Sequence, residues 1–413
     1  MNLYIFNETR RGAIFGIGTY IRELVIALKD SDIHISIINL MSDKPQIQID
    51  NIDGINYWYF PNPILELRTL DNQKQRELYF KNIVYLLKIH ITNEKELIFH
   101  INYHQCTSLA IELKKMFNCK IISVAHFSEW GFIIFDNKYQ LEHLLNKNNT
   151  DNFALNFKKT IEEEKKDYLV TDHTICLSNY MQNILCQYYK IKPSKISVIQ
   201  NGLSNIKNIS IKNNSLRKKW HLQSKEKVVL FVGRIDQVKG IRYLIRAFYE
   251  VLKTDLNCHL IIVGNGDYDT FFQEAKNICT RITFTGLLER TDLYELYQIA
   301  NVGVVPSLFE PFGYVPVEMM MHELPIVATA TSGLNEVVDE SCGLKVPLIV
   351  SPNNVEIDTS LLAQKIIYLL QNPKEAKRLG KNGRKRYLEK YSSEVFGKNM
   401  IAFYKSLFQE CKE

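Results

Sequence analysis

An alternation constrains this chain most. Short runs rich in Ile, Val and Leu are separated by stretches with apolar residues at helical spacing, and the scheme runs twice along the 413 residues. In the first half Leu3–Phe6, Ile33–Leu40, Leu97–Ile101, Lys120–Ala125 and Thr174–Leu177 read as strands, with helical patterns at Tyr20–Lys29, Gln73–Ile89 and Ser108–Phe117. In the second half Val228–Val232, His259–Val263, Ile282–Phe284, Val302–Val305, Ile326–Ala328 and Leu344–Val346 read as strands. Helical patterns there lie at Ile241–Leu252, Thr270–Ile278, Asp292–Ile299, Val315–Met321 and Leu361–Leu370. Strands so continuously apolar are buried on both faces, as in a parallel sheet covered by helices. The pattern therefore predicts an α/β fold of two doubly wound domains, residues 1–203 and 228–391. Residues 204–227, rich in Asn, Lys and Ser, read as a linker or boundary helix between them. Two such sheets are expected to face a central cleft, with ligands outside the carboxyl ends of the strands.

Composition excludes several classes. Apolar residues at 46% and charged residues at 23% exclude disorder, and 18 Gly with 11 Pro exclude a collagen-like chain. A net charge of +6 suits a phosphate-bearing small molecule or an anionic membrane face and is too weak to indicate nucleic acid. None of the eight Cys pairs at Cys-x-x-Cys spacing, so they read as small apolar residues in a reducing compartment. The apolar start Leu3–Phe6 is too short for a signal peptide, and no run reaches the roughly 18–20 apolar residues of a membrane span. A cytoplasmic protein, peripheral at most to a membrane, is the expectation.

Three loops carry chemistry. The first follows strand one and holds Gly12, Gly16 and Gly18. Glycines between strand and helix admit an anion to the helix N-terminus, or simply make a tight turn. The second is Gly233-Arg234-Ile235-Asp236-Gln237-Val238-Lys239-Gly240. Arg234 and Lys239 at the end of a parallel strand can converge on a pyrophosphate; alone they also read as solvated cations. The third runs from Pro306 to Glu318, where a helix follows a strand end and Pro316 fits its first turn. The backbone N–H groups of Phe312, Gly313 and Tyr314 would form an anion site there. Glu310 and Glu318, with seven residues between them, can accept hydrogen bonds from sugar and ribose hydroxyls, or serve as a helix-start charge and a solvated carboxylate.

Taken in order, these pieces resemble the retaining glycosyltransferases of family 4, with their GT-B architecture of two Rossmann-like domains. The matching segments are Gly16–Gly18, Val232-Gly233-Arg234 with Lys239-Gly240, Leu260–Gly266, Phe284-Thr285-Gly286 and Glu310–Glu318. The resemblance covers essentially the whole chain, strongly over 228–346 and weakly over 47–98. It implies that Arg234 and Lys239 bind the donor diphosphate, that Glu318 binds the ribose, and that Glu310 lies near the transferred sugar. It also implies backbone contacts from Phe312, Gly313 and Tyr314, approach of Gly16 and Gly18 to the phosphate, and nucleotide contacts from Gly233 and Leu288. His126, after Lys120–Ala125, matches a His beside the reacting sugar; by itself it also reads as a hydrogen-bonded interior His.

The chain departs from the pattern in places. Asn201-Gly202-Leu203-Ser204 ends in Ser where the family often has Asp, and Ser332-Gly333 stands where it has Gly-Gly before a downstream Glu, here Glu336. Asp267-Tyr268-Asp269 has the Asp-x-Asp form used by metal-dependent glycosyltransferases, but it opens a helix and reads as a cap. Lys374–Lys390 reads as a solvated basic helix face, with an anionic membrane contact as the sharper alternative. His100 and His104 are placed to line an acceptor pocket or to finish a strand, and Tyr57–Phe60 reads as a strand.

The expected reaction moves a sugar from a nucleotide diphosphate sugar, UDP-linked before GDP-linked, to an acceptor hydroxyl with retention. Neither a cofactor nor a metal is implied. The acceptor would be a bacterial glycan, a lipid-linked glycan or a peptide. Segment 392–413 is the candidate for a C-terminal helix crossing back to the N-terminal domain. Rival classes are a sugar-nucleotide epimerase or phosphorylase on the same architecture, and a non-catalytic nucleotide-sugar-binding subunit.

Overall fold

The computed structural model describes residues 1–8, 16–62, 73–146, 148–205, 213–254 and 257–409. Gly12 and the preceding Thr9-Arg10-Arg11, residues 206–212 of the expected linker, and Cys411 lie outside them. The chain divides into two compact units: Met1–Ser128 with Thr150–Ser204 and Ser393–Glu413, and Glu129–Asn149 with Asn205–Ser392.

The first unit is built on eight strands among the described residues: β1 (Asn2–Glu8), β2 (His34–Ser42), β3 (Gln48–Ile52), β4 (Ile55–Pro61), β5 (Leu97–Ile101), β6 (Cys119–Ala125), β7 (His173–Cys176) and β8 (Ile196–Val198). Their order is β3-β4-β2-β1-β5-β6-β7-β8, parallel except for the β3–β4 edge pair. The strand reading of Tyr57–Phe60 holds in β4. Phe6, Ile38, Phe99 and Ile101 lie fully buried beneath the helices Gln73–His90 and Thr107–Met116, as a doubly covered sheet requires. The C-terminal helix Ser393–Ser406 groups with this unit, and Phe396 packs edge-on against Tyr20.

The second unit contains β9 (Lys227–Val232), β10 (Cys258–Val263), β11 (Ile282–Gly286), β12 (Val302–Val305), β13 (Ile326–Ala330), β14 (Gly343–Ser351) and β15 (Asn354–Ile357), in the order β11-β10-β9-β12-β13-β14-β15. All pairs are parallel except the terminal β14–β15 hairpin. Residues 129–149 group here although they follow β6 in the chain: Asn137 Nδ2 donates to the Ser351 carbonyl at 2.8 Å, and the Phe309 ring packs where Gly131 has no Cβ. In the expected linker, Asn213–Lys219 is helical.

Beyond the carboxyl ends of β9, β10 and β11 the backbones stay in register. Gly233 N donates to Val263 O at 2.9 Å, Ile235 N to Asn265 O at 2.9 Å, and Gly264 N to Gly286 O at 3.0 Å. This explains the glycines of Gly264-Asn265-Gly266. A Cβ on Gly264 would sit 1.8 Å from Gly233 O, and one on Gly266 2.2 Å from Ile235 O, both at positive φ. Asp267 caps the next helix, accepting from Thr270 N at 3.2 Å. Of the described cysteines, Cys106, Cys176, Cys258 and Cys342 are buried, whereas Cys279 is exposed.

Candidate functional site

In the second unit the loop after β9 is organised by Asp236, a residue the sequence reading passed over. One carboxylate oxygen accepts the Lys239 backbone N–H at 3.0 Å, and the other pairs with Arg234 Nη2 at 3.1 Å. The carboxylate thus closes the turn and holds the guanidinium in one stroke. The Arg234 guanidinium also lies 5.8 Å above the Phe132 ring, supplied by the short helix Glu129–Ile134.

The loop after β12 is tied to this turn by Leu308 N donating to Val238 O at 2.7 Å. It brings Glu310 to Lys239, whose ammonium donates to the Glu310 carboxylate. Glu310 itself is pinned by Ser332, whose Oγ accepts from Glu310 N at 2.9 Å and donates to Glu310 O at 2.8 Å. Ser332 stands at φ 38, the left-handed backbone that glycine would adopt without cost. The departure from Gly-Gly therefore preserves the turn and adds a hydroxyl clamp.

Gly313 follows with φ 96 and stands immediately before the helix Tyr314–Met321, whose start no side chain caps. The N-terminal end of that helix carries the positive end of its dipole and can accept an anion. The helix begins at Tyr314, one residue before the Val315 start that the sequence pattern suggests, and Gly313 is its cap. The Glu310 side chain lies against Gly313, 3.1 Å from where a Cβ would be. The Phe312 ring packs edge-on against Tyr314 and Tyr391.

Glu318, on the same helix, accepts a hydrogen bond at 2.8 Å from the Tyr297 hydroxyl, and Tyr297 is stacked on His322. Burial, then the adjacent carboxylate, holds the Tyr297 hydroxyl protonated far above its ordinary range. Leu288 lies half-buried between β11 and the helix Arg290–Ile299. The structure thus gathers Arg234, Lys239, Glu310, Phe312, Gly313 and Tyr314 around two joined loops. Glu318 occupies the following turn, and Leu288 lies on the loop after β11.

In the first unit Gly16 has φ 73 and precedes the helix Ile17–Leu28, with Gly18 exposed in its first turn. Tyr20 on that helix presents its ring edge-on to His126, 4.9 Å between centroids. His126 is buried and its Nε2 lies 3.0 Å from Asn102 Oδ1. Burial, with His100 and His104 adding to it, pushes its pKa down to about 3. His100 is interior: its Nδ1 lies 2.7 Å from the Tyr404 hydroxyl and its Nε2 3.3 Å from that of Tyr20. His104 is also buried, with Nε2 3.3 Å from Phe127 O. Ser204, where the family's Asp was expected, donates through both N and Oγ to the buried Glu23. A carboxylate there would face Glu23 with like charge.

Arg384 and Arg386, within the basic segment, are structural. Arg384 donates to Met321 O at 2.8 Å, and Arg386 donates to Val337 O at 2.9 Å and pairs with Asp339. Lys374, Lys377, Lys381 and Lys385 are exposed.

The architecture is a two-domain α/β fold of the GT-B type. Sucrose-phosphate synthase from Thermosynechococcus elongatus matches it with a TM-score of 0.77 at 24% identity, over 99% of both chains. The Anabaena protein HepE, solved with UDP and glucose, matches with a TM-score of 0.73 at 15% identity, over 98% of this chain and all of that one. Two family models match the sequence: Glycosyltransferase Family 4 over residues 14–204 and Glycosyl transferases group 1 over residues 212–386. The chain belongs to the family 4, group 1 glycosyltransferases.

An uncharacterized glycosyltransferase of Methanocaldococcus jannaschii is 29% identical over 238 residues, 56% of this chain and 59% of that protein. The capsular polysaccharide biosynthesis glycosyltransferase CapM of Staphylococcus aureus is 28% identical over 243 residues, 57% of this chain and 62% of that protein. The chain thus spans about six tenths of the length of these curated relatives. Among the described residues, no helix is long and apolar enough to cross a membrane.

Proposed function

We propose that this chain transfers a sugar from a nucleotide diphosphate sugar to an acceptor hydroxyl with retention at the anomeric carbon. The observation that carries the reading is the pair of joined loops in the second unit. There Asp236 aligns Arg234 with the turn before Lys239, beside an uncapped helix start at Gly313. Both cations already have carboxylate partners, so a diphosphate binds by taking over pairings that Asp236 and Glu310 now hold.

As the anomeric carbon–oxygen bond breaks, negative charge grows on the departing diphosphate. Arg234, Lys239 and the first-turn amides stabilise that charge where it develops. Glu318, held by Tyr297, accepts hydrogen bonds from the ribose, and His126 orients the donor sugar. The leaving phosphate oxygen receives the acceptor proton as the acceptor attacks from the same face. The cations and helix end do the electrostatic work, so no metal is needed. UDP is the preferred nucleotide, supported by a structural neighbour of this fold solved with UDP-glucose.

Calorimetric titration with UDP and GDP, paired with donor turnover with and without a glycan acceptor, tests this. UDP should bind the wild type and bind Arg234→Ala far more weakly, and turnover should persist in EDTA. Equal affinity in the two proteins overturns the diphosphate assignment. Activity lost to chelator and restored by Mn²⁺ overturns the metal-free mechanism. Free nucleotide released without acceptor, or a strict need for orthophosphate, indicates an epimerase or a phosphorylase instead.

A further inference from the structure

The first unit contains a short hydrogen-bonded chain whose direction can be worked out from chemistry alone. Asn102, 1% exposed, follows β5. Its side chain donates through Nδ2 to the Phe6 carbonyl at 3.2 Å, and its Oδ1 lies 3.0 Å from His126 Nε2. A peptide carbonyl only accepts, so Phe6 determines which end of the amide is the NH₂ group. The amide oxygen then faces His126, and it also only accepts. His126 Nε2 must therefore carry a proton.

The ring is neutral near pH 7, since burial and the neighbouring imidazoles hold its pKa near 3. In a neutral imidazole with Nε2 protonated, Nδ1 carries a lone pair. No described residue hydrogen-bonds to that nitrogen, and the Tyr20 ring edge steadies the imidazole from the helix Ile17–Leu28. Among the described residues the titratable groups around it are Tyr20, His100 on β5, itself neutral and bonded to Tyr404 and Tyr20, and His104 on the loop beyond. The carboxylates of Glu164 and Asp167 each lie 3.9 Å from a His104 ring nitrogen.

We propose that Asn102 is a positioning residue that locks His126 as its Nε2–H tautomer, so that Nδ1 accepts a hydrogen bond from a hydroxyl of the bound sugar. The proposal rests on reading His126 as the group beside the donor sugar, and it adds the direction of that contact: the enzyme accepts and the sugar donates.

The test combines ¹⁵N NMR of histidine-labelled wild type with donor kinetics of N102A, N102D and H126A across pH 5 to 9. The wild type should show a protonated Nε2, an unprotonated Nδ1 and no titration of His126 in that range. N102A frees the tautomer and should lower kcat/KM about ten- to a hundredfold, by analogy with the range found when the partner orienting a metal-ligating histidine is removed. N102D still accepts from Nε2–H but adds negative charge, which raises the His126 pKa. Its kcat/KM should therefore acquire an acid limb absent from the wild type, falling as pH drops. A wild-type ring with the proton on Nδ1 overturns the proposal without any assay. So does N102A with wild-type kinetics while H126A is impaired. H126A with wild-type kinetics overturns the role of His126 in the reaction and leaves the tautomer measurement standing on its own.

Discussion

His126, His100 and Tyr20 are neutral and buried, whereas Arg234 and Lys239 form half-buried ion pairs with Asp236 and Glu310. In the first unit burial suppresses the charged forms: His100 and His126 are both pushed to about 3, and the Tyr20 hydroxyl is held protonated. What remains there is direction, encoded in which atom donates and which accepts. In the second unit each cation has a carboxylate at hand, and in the proposed reaction those carboxylates would be exchanged for phosphate. In the proposed reaction one region would discriminate by hydrogen-bond geometry, and the other would supply binding strength and transition-state charge.

The largest expected effect tests the charged side. Arg234→Ala should lower kcat by about a hundredfold or more, since losing one donor to a developing anion costs about 2.7–4 kcal/mol. The effect should shrink as salt rises, because it acts on a partly exposed guanidinium. Stopped turnover assays at low and high ionic strength check both parts, and unchanged turnover would remove Arg234 from the mechanism.

Next comes Tyr297→Phe, which deletes the hydroxyl on Glu318 while keeping the ring on His322. A hydrogen bond to a charged group contributes about 1.5–3 kcal/mol, so nucleotide affinity should weaken by roughly tenfold or more. KM should rise with little change in kcat if Glu318 acts only on the ribose. An equal loss in both would place Glu318 nearer the chemistry than the comparison allows.

The smallest effect near neutral pH concerns the buried histidines. Their folded pKa values of about 3 lie below the unfolded value of about 6.5. The unfolded chain therefore takes up protons first on acidification. The stability these residues contribute is complete above about pH 6.5 and is lost progressively as pH falls toward 3. Thermal melts from pH 7 to 4 should show this decline, and H100Q/H126Q should flatten it. A decline of the same slope in the variant would mean that other groups set the acid limit.

Much of the architecture was legible because apolar period is a local property. Leu97–Ile101, Val302–Val305 and Ile241–Leu252 are observed with the bounds that periodicity suggested, since a polar residue, Gly or Pro stands at each end and marks where the apolar pattern stops. The β3–β4 edge and the β14–β15 hairpin were harder to read. Gln48–Ile52 and Asn354–Ile357 lie at sheet margins, where polar exposed residues satisfy the ladder and leave little apolar signal. The candidate loops were visible through Gly, Pro and charge. Asp236 was also in plain view between Arg234 and Lys239, and the residue two to three positions before a turn amide was the signal that could have found it. Phe132 beneath Arg234 had no such signal, because its segment follows β6 in the chain yet packs beside Phe309.

Side-chain period and glycine freedom act over a few residues, so the layered α/β class and the two cation-bearing loops are local properties of the chain. Tertiary structure alone decided which donor meets which acceptor: Asn102 with His126, Ser332 with Glu310, Tyr297 with Glu318. Each of those partners lies more than twenty residues from the other, and a hydrogen bond depends on ångströms and angles that only the packed chain supplies.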